Sequence, residues 1–194
     1  HQMNIHNWLL GNRQRMYIQY LFHDGDIIDD EPNIQEWEQA DAAYKKLDVA
    51  KFPYGVLAGN HDVGHLNGDY SNYTQYFGEN RYLSNPWYGG SYKNNRGHYD
   101  LISVDGIDFI MLYMGWGIGD EEIQWMNDVL AQYPERKAIL NFHEYLLASG
   151  GLGEEPQRIY DEVVSKNENV CMVLSGHYHN AKTRIDTFTN ADGS

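Results

Sequence analysis

Apolar residues recur along the chain at two alternating spacings, one typical of amphipathic helices and the other of buried strands. In the first helical stretch, four residues share the face that is predicted to pack inward: Ile5, Trp8, Leu9 and Met16. Asn33, with Glu36 three residues later, has the spacing of a capping box and predicts the start of a second helix. Further helices are predicted from Asp120 onward and over residues 156–166.

Short apolar runs between these helices predict buried strands at residues 17–22, 54–58, 138–142 and 170–174. Asp105-Gly106 separates two more apolar runs and predicts a β-hairpin. Residues 62–97 are predicted to form a loop with a short helix near 70–77, and residues 183–189 a last strand. This alternation of helices and strands indicates a layered α/β fold.

Charge and composition narrow the class of protein. The 28 acidic and 14 basic side chains give a formal net charge of −14, which repels polyanions, so bulk nucleic-acid binding is not expected. The longest apolar run, residues 107–114, is far too short for a membrane span. The single cysteine, Cys171, cannot form an internal disulfide. The 16 tyrosines and the aromatic loop 85–95 favour a secreted or cell-surface location.

Candidate chemistry follows the four predicted buried strands, because each of them ends at a polar cluster. The clusters are His23-Asp24-Gly25-Asp26 with Asp29 nearby, Gly59-Asn60-His61-Asp62, His143-Glu144, and Gly176-His177-Tyr178-His179. In open α/β sheets, ligands bind beyond the carboxyl ends of the strands, so these clusters are expected to share one pocket. Carboxylate, amide and imidazole groups without a thiolate suit Mn, Fe, Zn, Co, Ni or Mg ions.

The order G-D-x-x-D, G-N-H-D, a strand-end histidine and G-H-x-H resembles the calcineurin-like metallophosphoesterase family, from about Leu21 to His179. The resemblance implies a layered α/β/β/α sandwich and a hydrolase of phosphate mono- or diesters that acts on a small phosphoester substrate. It also implies two divalent metal ions as cofactors. A hydroxide that bridges both ions would attack phosphorus in line with the departing oxygen.

The resemblance also assigns roles by position. Asp26 would bridge the two metals, and the remaining ligands would be Asn60, His143 and His177 on one metal and His179 on the other. His61 would be the general acid that protonates the leaving alkoxide, and Asp29 would orient His61. His23 is expected to support Asp26 without binding metal. Four cations are candidate phosphate binders: Arg81, Lys93, Arg96 and Arg158.

The sequence departs from the family pattern before Asp26. The family carries an Asp-x-His or Asp-x-Gln pair after a first strand, whereas residues 1–16 read as a helix without such a pair. We therefore expect a single domain over residues 1–194 that is truncated at both ends and lacks the first and the final strands of the sandwich. One metal site would be incomplete and the activity low, and other domains of a longer chain are expected.

Structural interpretations compete with the functional ones. A lone strand-end histidine such as His143 is more often a hydrogen-bonded structural residue, and Asn60 alone would be a turn residue. Trp8 at helical spacing is expected in the core, while His65 and His98 are expected at the surface or on the substrate side, with no assigned role. For the whole protein, the alternative is a catalytically silent phosphoesterase-like module that serves binding or assembly in a larger surface protein. A nuclease is disfavoured by the charge.

Overall fold

The computed structural model describes residues 1–64 and 68–188. Its helices are α1 (Gln2–Asn12), α2 (Ile34–Val49), α3 (Ser71–Phe77), α4 (Asp120–Gln132) and α5 (Glu154–Glu162), with short 3₁₀ turns at Glu79–Arg81 and Val164–Lys166. Its strands are β1 (Leu21–His23), β2 (Tyr54–Val56), β3 (Tyr88–Tyr92), β4 (Gly97–Val104), β5 (Ile107–Met114), β6 (Lys137–Phe142) and β7 (Val170–Ser175). No helix in the described ranges is long and apolar enough to cross a membrane.

Within the described residues, the strands form two sheets. β1 and β2 pair in parallel as a small sheet, and the larger sheet has the order β3-β4-β5-β6-β7. In the larger sheet β3, β4 and β5 are antiparallel neighbours, whereas β5, β6 and β7 run in parallel. The hairpin predicted at Asp105-Gly106 is confirmed, and both residues adopt positive φ there, as a tight turn requires.

Three apolar clusters separate four layers. Trp37 and Tyr44 of α2 are fully buried against the small sheet, together with side chains of α1 and α3. Met126 of α4 belongs to a second cluster, between the larger sheet and helices α4 and α5. Leu57 and Tyr113 lie in a third cluster, between the two sheets. The predicted α/β/β/α architecture is therefore confirmed, with the site loops at the ends of the inner layers.

The predicted inner face of α1 is only partly correct. Leu9 is buried, but Ile5 and Trp8 are more than half exposed, and Met16 lies exposed beyond the end of the helix. The helix packs on α2 through Leu9 and His6, whose Nδ1 lies 3.0 Å from a backbone carbonyl oxygen of α2. The buried polar residue His6 thus occupies a position in the contact between α1 and α2 that the hydrophobic spacing predicted for Trp8.

The region predicted as a long loop is more ordered than expected. Helix α3 is confirmed, whereas β3 was not predicted because two glycines interrupt its apolar alternation. The strand predicted at residues 183–189 is wrong for 183–188, which carry no regular structure, and Thr189 lies outside the described residues. His98 is buried rather than at the surface, while His65 lies outside the described residues.

Candidate metal centre

Four strand ends bring candidate ligands together from both sheets. Asp26 follows β1 and Asn60 follows β2 in the small sheet, while His143 directly follows β6 and His177 follows β7 in the larger one. Their side chains meet although more than 80 residues of chain separate Asn60 from His143. The predicted convergence of these four residues is thus present in the structure.

The Nε2 atom of His143 is the centre of this group. It lies 3.3 Å from Oδ2 of Asp26, 3.0 Å from Oδ1 of Asn60 and 3.1 Å from Nδ1 of His177. Adjacent ligands at about 2.1 Å from one ion lie roughly 3 Å apart, so these separations suit a shared cation. Asn60 and His143 are buried, whereas Asp26 and His177 are partly accessible. We call these four side chains the ligand cluster.

The hydrogen bond at Nδ1 of His143 determines whether the ligand cluster favours a cation or an anion. Nδ1 lies 2.6 Å from the backbone carbonyl oxygen of Asp24 and must donate its proton to that acceptor. Nε2 of the neutral ring then carries a lone pair, which faces acceptor oxygens of Asp26 and Asn60. Converging lone pairs are stabilised only by a cation between them, either a proton on Nε2 or a metal ion. The residues present therefore fit a divalent metal.

The surroundings favour an ionised Asp26 and a neutral His177, as metal ligands require, whereas at His143 they favour a proton on Nε2. Burial alone would raise the pKa of Asp26, but hydrogen bonds to His143 and to the backbone of His61 outweigh it and lower this pKa. Burial lowers the pKa of His177, and the neighbouring His143 lowers it further. For His143, burial lowers the pKa, but the bonds to Asp26 and to the carbonyl of Asp24 outweigh this effect, so the net pKa is raised.

Unusual backbone conformations position two of the ligands. Asp26 and His177 both adopt left-handed conformations, with φ of 52° and 63°. Such residues cost free energy unless the surrounding structure holds them, and they concentrate at functional sites. Gly25 and Gly59 are required for close approach, since a Cβ at Gly25 would overlap the ring of His143 and one at Gly59 would overlap the carboxylate of Asp26.

His61 lies next to the ligand cluster and is held by the loop that follows Asp26. Its backbone N–H donates to Oδ1 of Asp26 at 3.1 Å, and its Nδ1 lies 2.6 Å from the backbone carbonyl oxygen of Asp29. The Asp29 carboxylate is 3.6 Å away and its side chain is 93% exposed. The predicted pair is therefore in contact, but the main chain of Asp29 makes the shorter contact with His61.

The Asp29 loop is tied to the start of α2 by Glu36. The Glu36 carboxylate accepts hydrogen bonds from the backbone N–H groups of Asp29 at 2.8 Å and Asp30 at 3.0 Å, and from the side chain of Asn33 at 2.9 Å. Asn33 makes no side-chain bond to the helix backbone, so the predicted capping box is wrong. The backbone N–H of Asn33 donates instead to the carbonyl oxygen of Asp30 at 2.8 Å, while Glu36 binds the preceding loop.

Asp62 connects the two loops of the small sheet. This fully buried carboxylate accepts from the backbone N–H of Gly59 at 2.7 Å and of Ile28 at 3.1 Å, and burial raises its pKa to about 7. The sequence contains Asp62 in the G-N-H-D motif, but nothing in the spacing indicated this role. Its burial and its two backbone partners show that it holds the Asp26 loop against the Asn60 loop.

A sequence model of the calcineurin-like phosphoesterases matches residues 5–181. The chain belongs to this family. The match covers most of the chain and includes every residue of the ligand cluster. It confirms the resemblance on which the fold and the hydrolase class were predicted.

Two curated relatives extend the comparison. The chain is 56% identical over 179 residues to "Uncharacterized protein YvnB" of Bacillus subtilis (strain 168). The aligned region covers 92% of this chain but 14% of YvnB. The chain is 26% identical over 176 residues to "Probable glycerophosphodiester phosphodiesterase GpdQ" of Arcobacter nitrofigilis, which covers 83% of this chain and 56% of that protein. The chain thus spans only part of the length of either relative.

In this member of the family, His179 differs from the other predicted ligands. It is exposed and is not part of the group formed by the ligating atoms of Asp26, His143 and His177, which lie within 4.8 Å of one another. It does line a cavity of about 330 Å³ together with these three residues. His179 therefore borders the site that the other ligands form, without joining their cluster.

The four cations proposed as phosphate binders are engaged elsewhere in ion pairs. Arg81 contacts two carboxylates at 2.7 and 2.8 Å, Lys93 contacts one at 2.7 Å, and Arg96 contacts one at 3.4 Å. Arg158 pairs with two carboxylates beside α4 and α5. None of the described residues that line the cavity over the ligand cluster is a lysine or an arginine.

Two aromatic residues at the site were not predicted. The ring of Trp116 lies 5.8 Å from the ring of His143 and 5.5 Å from that of His177, measured between centroids. The ring of Tyr178 lies 4.7 Å from that of His177, and its hydroxyl donates to Glu144 at 3.0 Å. Trp116 follows β5, a strand without a polar cluster at its end, so the search for strand-end ligands did not reach it.

Proposed function

We propose that the protein is a metal-dependent hydrolase of phosphate mono- or diesters. The observation that carries this proposal is the convergence of acceptor atoms around Nε2 of His143, which requires a cation. Family membership supports the reaction class, and the name of GpdQ, a probable glycerophosphodiester phosphodiesterase, supports diesters among the substrates.

The proposed ligands are the ligand cluster for one cation, with Asp26 shared and His179 serving a second. When bound, the cations would supply an acidified water and would neutralise charge on the phosphoryl group. The glycines beside the ligands keep the loops close enough for this arrangement. Metal identity is left open among Mn, Fe, Zn, Ni and Mg, since this donor set suits each of them.

His61 is the proposed general acid. The Asp29 carbonyl accepts the Nδ1 proton, which fixes the ring, and in the imidazolium form Nε2 would carry the second proton, which passes to the leaving oxygen and leaves the ring neutral. The backbone bond from His61 to Asp26 keeps this ring beside the cluster. Asp29 contacts His61 mainly through its backbone carbonyl. We therefore propose that this carbonyl orients the His61 ring more than the Asp29 carboxylate does.

The test uses the full-length protein with Mn²⁺ and bis(p-nitrophenyl) phosphate. His61→Ala is expected to lower kcat by about 10²- to 10⁴-fold, the usual contribution of a general acid, while metal content measured by elemental analysis stays unchanged. His177→Ala is expected to lower both metal content and turnover. Absence of turnover with every divalent metal tried would favour the catalytically silent module instead.

A further inference from the structure

Trp116 is held rigidly against the ligand cluster. Its backbone N–H donates to the carbonyl oxygen of Ala58 at 2.9 Å, and its own carbonyl oxygen accepts from the hydroxyl of Tyr70 at 2.8 Å. The side chain is partly buried, and its ring contacts those of His143 and His177. These two bonds anchor the backbone of Trp116 and place its ring next to both histidines.

Tyr178 provides a second ring beside the same histidine. Its ring contacts that of His177, its hydroxyl is held by Glu144 at 3.0 Å, and its side chain lines the cavity of about 330 Å³. We call Trp116 and Tyr178 the aromatic rim. Both rings contact the ring of His177, and Tyr178 also lines the cavity, so a group bound next to His177 lies near the aromatic rim.

The ester groups on phosphorus separate two substrate classes. A phosphomonoester carries only the ester group that leaves, whereas a phosphodiester keeps a second ester group on phosphorus. The cations proposed at the ligand cluster would neutralise phosphoryl charge in both classes, so the retained ester group is what distinguishes them. A retained apolar group next to His177 can contact the aromatic rim, and a monoester has no such group.

We propose, on the basis of the function proposed above, that the aromatic rim is the specificity element for phosphodiesters with a planar apolar ester group. This is the ester group that stays on phosphorus, because the leaving oxygen must lie near His61. The rim would bind that group by stacking and edge contacts next to His177. Phosphomonoesters and diesters of small aliphatic alcohols would lose this contribution.

The test compares two diesters that expel the same p-nitrophenolate. Bis(p-nitrophenyl) phosphate keeps an aryl group on phosphorus, and methyl p-nitrophenyl phosphate keeps a methyl group. The ratio of the kcat/KM values for the two diesters is measured for the Mn²⁺-loaded full-length protein and for variants. The intrinsic reactivities of the diesters are the same with every protein, so a change in the ratio between proteins reports on binding to the rim. Tyr178→Leu and Trp116→Leu are each expected to lower this aryl-to-methyl ratio roughly three- to tenfold, the value of a lost aromatic contact.

Conservative variants serve as controls. Tyr178→Phe keeps the ring and loses only the bond to Glu144, and Trp116→Phe keeps an aromatic ring; both are expected to retain most of the ratio. Calorimetric titration with diphenyl and dimethyl phosphate gives a reading independent of turnover: only diphenyl phosphate should bind more weakly to Tyr178→Leu. Metal content is measured for each variant, because Trp116 touches two ligands.

The outcomes separate this inference from the proposed function. If neither diester is hydrolysed by the unmodified protein with any divalent metal, the proposed function is contradicted. If both are hydrolysed but the aryl-to-methyl ratio is the same in the unmodified protein and in both leucine variants, the role of the aromatic rim is contradicted alone.

Discussion

At the scale of single residues, buried histidines in this protein serve two different purposes. His143 has acceptors on both ring nitrogens and lies beside the Asp26 carboxylate, whereas His98 is surrounded by tyrosine rings. The His98 ring is stacked on Tyr113 at 4.4 Å and lies nearly parallel to Tyr82 at 6.1 Å. Burial without a charged partner lowers the pKa of His98 to about 3. Sequence position alone did not distinguish these two environments.

His98 is predicted to make the protein sensitive to acid. Its pKa is 6.5 when unfolded and about 3 when folded, so between these values the unfolded chain binds the extra proton and stability falls as pH falls. His98→Phe keeps the stacking and removes the titration. When the pH is lowered from 7 to 4.5, the free energy of unfolding of the unmodified protein is expected to fall by about 2 kcal/mol more than that of the variant. Urea denaturation in EDTA at both pH values measures this, and an unchanged difference between the two proteins would refute it.

The convergence of the ligand cluster was predictable because the chemistry of its residues and their strand-end positions are both written in the sequence. Asp26 and His143 each follow an apolar run that could be recognised before any coordinates were known. Asp62 and Trp116 were not assigned because their roles arise from contacts across the fold, with Ile28 in one case and His177 in the other. No local spacing encodes such contacts.

At the scale of secondary-structure elements, the start of α2 supports the proposed general acid. Glu36 holds the amides of Asp29 and Asp30, and the carbonyl of Asp29 holds the ring of His61. These amides keep the pKa of Glu36 below its ordinary value, so it is ionised at neutral pH. Helix α2 thereby positions the loop of Asp29 and Asp30, which makes no β-sheet hydrogen bonds of its own.

Glu36→Ala is predicted to reduce turnover through this loop. Without the carboxylate, the Asp29 carbonyl loses its fixed position and the His61 ring becomes less well oriented, so kcat for bis(p-nitrophenyl) phosphate is expected to fall about tenfold. Metal content should not change, because Glu36 touches no member of the ligand cluster. Glu38→Ala, on an exposed position of the same helix, is the matched control. Equal rates for the two variants would show that Glu36 has no positioning role.

Elements with strong periodicity were predicted well, and those defined by pairing were not. Helix α4 was predicted to begin at Asp120, where it does begin, because its apolar residues repeat at helical spacing. β3 contains Gly89 and Gly90 and is a strand only because it pairs with β4. Residues 183–188 have strand-like composition, but no strand pairs with them among the described residues.

At the scale of the whole molecule, the ligand cluster joins the two sheets. Asp26 and Asn60 come from the loops of the small sheet, and His143 and His177 from those of the larger sheet. The layered architecture was predictable from the order of helices and strands. The packing between layers brings the other three side chains within 3.3 Å of His143, and the sequence does not state that packing.

Metal binding is predicted to stabilise the whole fold. An ion that binds only the folded state adds about 2.7 kcal/mol at a free concentration one hundred times its Kd. Mn²⁺ should therefore raise the free energy of unfolding, and EDTA should reverse the effect. His177→Ala should lose most of this gain, and His179→Ala less, because His179 lies outside the cluster. Denaturation curves that coincide with and without Mn²⁺ would rule out this coupling.

The division of ligands between the sheets has a consequence for folding. Neither sheet alone supplies more than two of the four side chains in the cluster, and two ligands hold a cation weakly. We therefore expect the nascent chain to retain a cation only after the layers have docked. Cation capture would then be a late step that seals an already assembled molecule.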